Sequence, residues 1–281
     1  MSPAPEWVAL SVVDQLGGVR FRALLDYFGG DIDAILRADV ATLKRVHGIG
    51  AVLAESIQRI DLAKTRADLA AWYTQDVSVL TWNDAAYPSR LKLIHDAPPT
   101  LFMVGTMRLI DLDQRRHAAI VGTRQPTPQS SEMAQTLAFQ LAAAGWVIVS
   151  GLALGIDAAA HIGTLATPDG VTMAVLGGGV LNIYPPANRR LAQAVRNRGA
   201  LISENAPTAS PKPPYLVARN RLLSGMSDAV IVIETSLSGG AMHAGRRALE
   251  QGRQLYVMEN GASGNLALLD EGAQSLDALF S

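Results

Sequence analysis

The residues from Ala118 to His161, AAIVGTRQPTPQSSEMAQTLAFQLAAAGWVIVSGLALGIDAAAH, constrain this chain more than any other stretch. An apolar run, Ala118 to Val121, stops at Gly122-Thr123-Arg124 and passes through a polar, proline-containing turn. It then enters a segment with apolar residues at helical spacing from Met133 to Leu141. Gly145 closes that segment as a C-terminal helix glycine does. A second short apolar run, Trp146 to Val149, leads into Ser150-Gly151-Leu152-Ala153-Leu154-Gly155-Ile156-Asp157. Two parallel strands joined by a right-handed crossover put both glycine-bearing loops at one edge of a sheet, where open α/β folds place their ligands.

Further apolar β-type runs alternate with helical stretches downstream: Thr172 to Leu176, Ala200 to Ile202, Ala229 to Ile233 and Gln254 to Met258. Their continuous apolar character predicts a mostly parallel, Rossmann-like α/β sheet with helices on both faces. The dinucleotide fingerprint GxGxxG is absent after the first strand, and no acidic residue ends the second, which argues against NAD. Each strand end carries small, hydroxyl or cationic residues instead: Gly122-Thr123-Arg124, Ser150-Gly151, Gly177-Gly178-Gly179, Ser203-Glu204, and Ser236 to Gly240. Such a row of backbone N–H donors and hydroxyls suits an anion.

Ahead of this body, Trp7 to about Leu69 reads as short-looped helices, predicting a helical unit over 1–69 and the Rossmann-like unit over 70–281. Inside it, LKRVHGIGAVLAESIQRI (Leu43 to Ile60) predicts a helix ending at His47, a Gly48-Ile49-Gly50 hairpin and a helix from about Ala51. The pattern resembles the helix-hairpin-helix module, which grips nucleic-acid backbone, with Lys44, Arg45 and His47 adding charge; the same turn is also a compact helix connector. Between the units, Val77 to Thr81 and Leu101 to Val104, capped by Gly105, read as strands extending the main sheet.

The bulk properties narrow the class. A chain of 281 residues that is 49% hydrophobic can build a substantial core. Its net charge of −1 announces no polyanion partner, so local distribution decides. Of the 24 basic residues 4 are lysine, and arginine is the better bidentate phosphate ligand; an arginine-biased composition explains that ratio equally well. The chain has no cysteine, which removes disulfides, thiolate catalysis and Cys-type metal sites. His47, His95, His117, His161 and His243 lack ligand spacing, so no metal and no cofactor are expected. With no signal-like N-terminus and no apolar run of about 18 residues, a soluble cytoplasmic protein without a membrane partner is expected.

The ordered set IVGTR, SGLALGIDAAAH, AVLGGG followed by YPPAN, LISE, RNRLLSGMSDAVIVIE and SGGAMHAGRRALEQGR, from about Tyr87 to Ala273, resembles the DNA-processing protein A family (DprA, also called Smf). The resemblance implies a non-enzymatic, single-stranded DNA-binding protein of natural transformation. Such a protein protects incoming strands and helps load the RecA recombinase, acting as a homodimer with the Rossmann-like unit as platform. Carried onto this chain, it implies a DNA rim made by Gly122, Thr123 and Arg124, with Arg124 on a phosphate. Ser150 and Gly151 belong to the same rim, and Gly151 and Gly155 shape the second loop. Gly177, Gly178 and Gly179 would let the backbone approach, with Asn182, Tyr184 and Asn188 just beyond and Ser238, Gly239 and Gly240 closing the row. Tyr184 either stacks on a base or forms a rigid turn with Pro185.

Asp157 and His161, four apart on one helical face, are expected to fix their loop internally. Arg219 and Arg221 diverge along a helix, so Arg219 is expected inward, paired with Glu234, and Arg221 toward DNA. Two departures fall at the ligand edge: His243-Ala244 where members usually have Thr-Ala, and Glu259-Asn260-Gly261 in place of Pro-Gly. There Glu259 would repel phosphate if exposed. The resemblance also implies a C-terminal winged-helix-like module that many members carry and that these residues do not include. Two other readings stand beside this one. One is a nucleotide-binding or nucleotide-hydrolysing protein with Glu204, Glu234 and Glu259 as acids, although the signature PGGxGTxxE is absent. The other is a family paralogue acting as a protein scaffold.

Overall fold

The structure, a computed structural model, describes residues 3–280. The expected strands all form: β1 (Ser78–Thr81), β2 (Thr100–Gly105), β3 (His117–Val121), β4 (Val147–Ser150), β5 (Val171–Val175), β6 (Gly199–Ser203), β7 (Ala229–Val232) and β8 (Gln254–Val257). A ninth, β9 (Gln274–Ser275), is too short to leave a periodic signal in the sequence. They build one sheet in the order β1-β2-β6-β5-β4-β3-β7-β8-β9. The pairs β1/β2 and β2/β6 are antiparallel and the rest are parallel.

Apolar side chains alternate between the two faces of the central strands, and both faces are covered. In β3, Ala119 and Val121 join the core under helix Gly240–Glu250, whereas Ala118 and Ile120 join the core under helices Pro128–Ala143 and Ile156–Ala166. Thr127 caps the first of these helices by accepting from the Ser130 N–H, a contact that stabilises by about 1 kcal/mol. The two helices pack so closely that a Cβ on Gly163 would lie 2.1 Å from the Gln135 carbonyl oxygen. Gly145, at φ +87°, turns the chain from helix into β4.

The helical segment, from Pro5 to Tyr73, shares its core with one face of the sheet. Trp7, Phe21 and Trp82 form a ring cluster across that junction, with centroids 4.8 to 6.0 Å apart, and Trp7 Nε1 donates to the Pro99 carbonyl. In the hairpin region the first helix is shorter than the sequence suggests, Val40–Leu43 instead of reaching His47. The chain leaves it through tight turns that bury Val46, and Gly48 adopts φ +80° while its carbonyl accepts from Arg20 Nε. The second helix, Ala51–Gln58, begins where expected. Among the described residues no helix is long and apolar enough to cross a membrane.

Candidate nucleic-acid interface

The strand order makes the site. β3 lies centrally, with β4 on one side and β7 on the other, so the connections diverge at the C-terminal ends of β3 and β7, a topological switch point. The loop after β3 is clamped there. Thr123 N–H donates to the Glu234 carbonyl at 2.7 Å, and Ile156 N–H donates to the Thr123 carbonyl at 3.2 Å. Gly122 is needed because a Cβ would sit 2.6 Å from Ile156 Cγ1. Gly155, at φ +75°, lies so near that a Cβ would be 2.3 Å from the Thr123 carbonyl oxygen. A loop held this tightly presents Arg124 outward: it is exposed and, among the described residues, makes no hydrogen bond, ion pair or ring contact.

Behind Arg124 lies a cavity of about 360 Å³, bounded by the Gly122–Arg124 loop, Asp157, Leu216, Arg219 and the Gly239–Ala241 turn. Gly240 opens helix Gly240–Glu250, which lacks a side-chain cap, so its first backbone N–H groups have no partner inside the helix. A smaller cavity of about 50 Å³ shares Arg124 and Arg219 and is bounded by Gly151, Leu154, Tyr184 and Pro185.

Arg219 forms the floor of both. It is 5% exposed, and its Nη1 donates to the Val175 carbonyl at 2.8 Å. Its guanidinium occupies the space beside Gly151, where a Cβ would lie 1.6 Å from Nη1. Asp157 accepts from the Gly151 and Ala153 N–H groups at 3.1 and 3.4 Å, tying the second loop to the start of its helix. Burial raises the Asp157 pKa, opposed first by Arg219, then by these two N–H groups and Arg124. His161 plays no part in that loop. Its Nδ1 meets Thr172 Oγ1 at 2.7 Å, and Thr172 Oγ1 donates to the Ile148 carbonyl. The hydroxyl proton being committed, Nδ1 is the donor, and burial drives the imidazole pKa down to about 3, so the ring is neutral.

Several expected rim residues turn out to be braces. Ser150 is fully buried and donates to the Ile120 carbonyl at 2.6 Å. Gly177, Gly178 and Gly179 are buried beneath a strap, residues 206–216, and a Cβ on Gly179 would lie 2.1 Å from the Pro207 carbonyl oxygen. Their lack of side chains admits the protein's own chain instead of a ligand. Asn182 reaches the same strap through the Ala209 carbonyl at 3.5 Å, and Asn188 donates to the Leu152 and Ala153 carbonyls. Tyr184, by contrast, stands 43% exposed at the smaller cavity. Ser238 is exposed beside Gly239 and Gly240.

The arginine pair resolves in part as expected. Arg219 does point inward, but its neighbours are Val175 and Asp157; Glu234 accepts from the Thr127 N–H and hydroxyl instead. Arg221 does not face the cavity. It is 8% exposed and paired with Asp96 at 3.1 Å and Glu204 at 2.6 Å, because the chain turn that sends residue 219 under the rim sends residue 221 toward the 96 and 204 loops. Of the candidate acids, Glu204 and Glu234 are thus committed elsewhere and Glu259 is exposed; none bounds the larger cavity, and neither does His243. Sequence reasoning missed the apolar side of the rim, where Leu154 and Val217 are 43% and 46% exposed, since single aliphatics in the SGLALGID loop and in PPYLVAR carry no periodic signal.

Comparison with known proteins fits this geometry. The family model described as DNA recombination-mediator protein A matches residues 78–279. The chain is 36% identical to DNA processing protein DprA of Bacillus subtilis over 213 residues, covering 74% of this chain and 71% of that one. It is 34% identical to protein Smf of Synechocystis over 281 residues, covering 95% and 69%. Among solved structures, DNA processing protein A from Streptococcus pneumoniae superposes with a TM-score of 0.82 at 29% identity, covering 98% of this chain and 95% of that one. The Helicobacter pylori protein, solved for its single-stranded DNA binding mode, gives 0.64 at 34% identity, covering 71% and 90%.

Proposed function

Since this chain belongs to the DNA recombination-mediator protein A family, we propose that its switch-point rim binds single-stranded DNA through the phosphate backbone. The observation that carries this reading is Arg124: a cation held outward by a clamped loop, without a hydrogen bond or ion pair among the described residues, beside the uncapped start of helix Gly240–Glu250. A guanidinium and free N–H groups around a cavity of about 360 Å³ supply the donors an anionic chain needs. Tyr184 and the aliphatic rim offer base faces a sequence-tolerant resting surface.

The reading is one of binding and not of catalysis: among the described residues Asp157 is the one carboxylate bounding the larger cavity, and it is engaged in holding its loop. Family membership extends the reading to a cytoplasmic homodimer that protects incoming strands in natural transformation and delivers them to RecA. Fluorescence anisotropy with labelled oligo-dT tests the first part. Wild type binds with affinity that falls steeply with salt. Arg124→Ala weakens binding and flattens that dependence by about 0.7, the single-strand value per phosphate. Absence of wild-type binding, or an unaltered Arg124→Ala variant, refutes it. RecA capture from nuclease-treated lysate, set beside capture on DNA, tests the second.

A further inference from the structure

Arginines that serve the fold are engaged, and from residue 90 onward nearly all of them are. Arg90, Arg108, Arg196, Arg221, Arg246 and Arg247 hold carboxylates. Arg115, Arg198, Arg219 and Arg253 donate to carbonyls, and Arg116 lies over Trp146. Among the described residues this leaves Arg124, Arg189 and Arg190 without hydrogen bond, ion pair or ring contact. All three are exposed, and all three are at the same edge of the sheet. Helix Arg189–Arg198 runs back from the C-terminal end of β5 to the start of β6, so its first residues stand at the rim and Arg196 and Arg198 at the opposite edge.

We propose that Arg189 and Arg190 form a second phosphate-contact site, which carries a single strand from the Arg124 cavity across the ends of β4 and β5. This rests on the reading above that the rim binds DNA. Stability does not account for the pair. Two cations in the first turn oppose the helix dipole, and that turn has no acidic residue to offset them. A phosphodiester relieves this and gains a charge-assisted contact. The site is also tied to the first one: Asn188, the residue before Arg189, donates to the Leu152 and Ala153 carbonyls, and Ala153 borders both Arg124 cavities. Tyr184, half-exposed, borders the smaller Arg124 cavity and precedes Arg189 in the chain by five residues. From β7 to β5 the rim covers three strand spacings, about 14 Å, so a ligand long enough to meet both sites is an oligonucleotide rather than a mononucleotide.

The test compares wild type, Arg124→Ala, Arg189→Ala/Arg190→Ala and Arg189→Lys/Arg190→Lys on oligo-dT of about 20 and about 4 nucleotides, over a salt series. The double alanine variant is expected to lose about tenfold in affinity for the long oligomer and about 1.4 in salt slope. It should bind the short one as wild type does, and the lysine variant should recover most of the slope. Its thermal unfolding should not fall, because both side chains are exposed. If the long oligomer is bound by the double variant with unchanged affinity and slope, or if both oligomers suffer equally, the second site is refuted. The reading of the rim then stands as long as Arg124→Ala still weakens binding. A wild type that binds neither oligomer refutes both.

Discussion

Replacing Gly151 by alanine isolates the floor of the rim. The backbone there is not in the left-handed region, so a methyl group introduces no φ strain of its own; what it meets is the Arg219 guanidinium, 1.6 Å away. That group is 5% exposed and must leave, breaking its bond to the Val175 carbonyl and moving from Asp157. A hydrogen bond to a charged donor contributes about 1.5–3 kcal/mol, and removing the partner of a buried charge costs about 3–5. The Asp157 carboxylate keeps its two N–H donors, so the lower part of that range applies, about 3 kcal/mol for Gly151→Ala. Arg219→Ala costs about 4 by the same reasoning. In the double variant no guanidinium is left to collide with, so the methyl adds almost nothing and the total stays near 4, where independent effects would give about 7. Urea unfolding of the four proteins measures this; with an m-value of about 3 kcal/mol/M, Gly151→Ala moves the midpoint by about 1 M in the wild-type background and scarcely at all in Arg219→Ala. Equal midpoint shifts in both backgrounds refute the packing argument.

Two further outcomes complete the set. His161 is buried neutral with its pKa depressed to about 3, so the unfolded chain, titrating near 6.5, binds the extra proton. Its contribution to stability is complete above pH 6.5 and is lost as pH falls toward 3. His161→Leu should therefore shrink the stability difference between pH 7 and pH 5 by about 2 kcal/mol, and a variant with the wild-type pH slope would contradict the assignment. Tyr184→Ala should weaken oligo-dT binding by about 1–3 kcal/mol while leaving unfolding within about 0.5, as measured by anisotropy and calorimetry; undiminished affinity would assign Tyr184 to a turn.

What could be read from the residues was what local pattern determines. Apolar runs marked every strand long enough to show one, and Gly122, Gly151 and Gly155 marked backbone under close approach. The partner in that approach was not legible: at Gly177–Gly179 a glycine run looks alike whether it admits a ligand or a strap arriving from some thirty residues downstream. Arginines posed the same difficulty. Arg221 and Arg190 each stand second in a helix, and only the tertiary placement of Asp96 and Glu204 neutralises one, while the other has no hydrogen bond or ion pair among the described residues. His161 misled for a related reason, since its helical register with Asp157 was correct but its hydrogen-bond partner comes from β5.

The sheet's two borders have a consequence for self-association. One border is β1, with four residues, and the other β9, with two. Both borders are short, β9 especially, which limits the unpaired backbone open to edge-to-edge growth. Mutations in side chains on helices and loops, more than in the two-residue β9, are therefore expected to bear on whether copies of this chain pair.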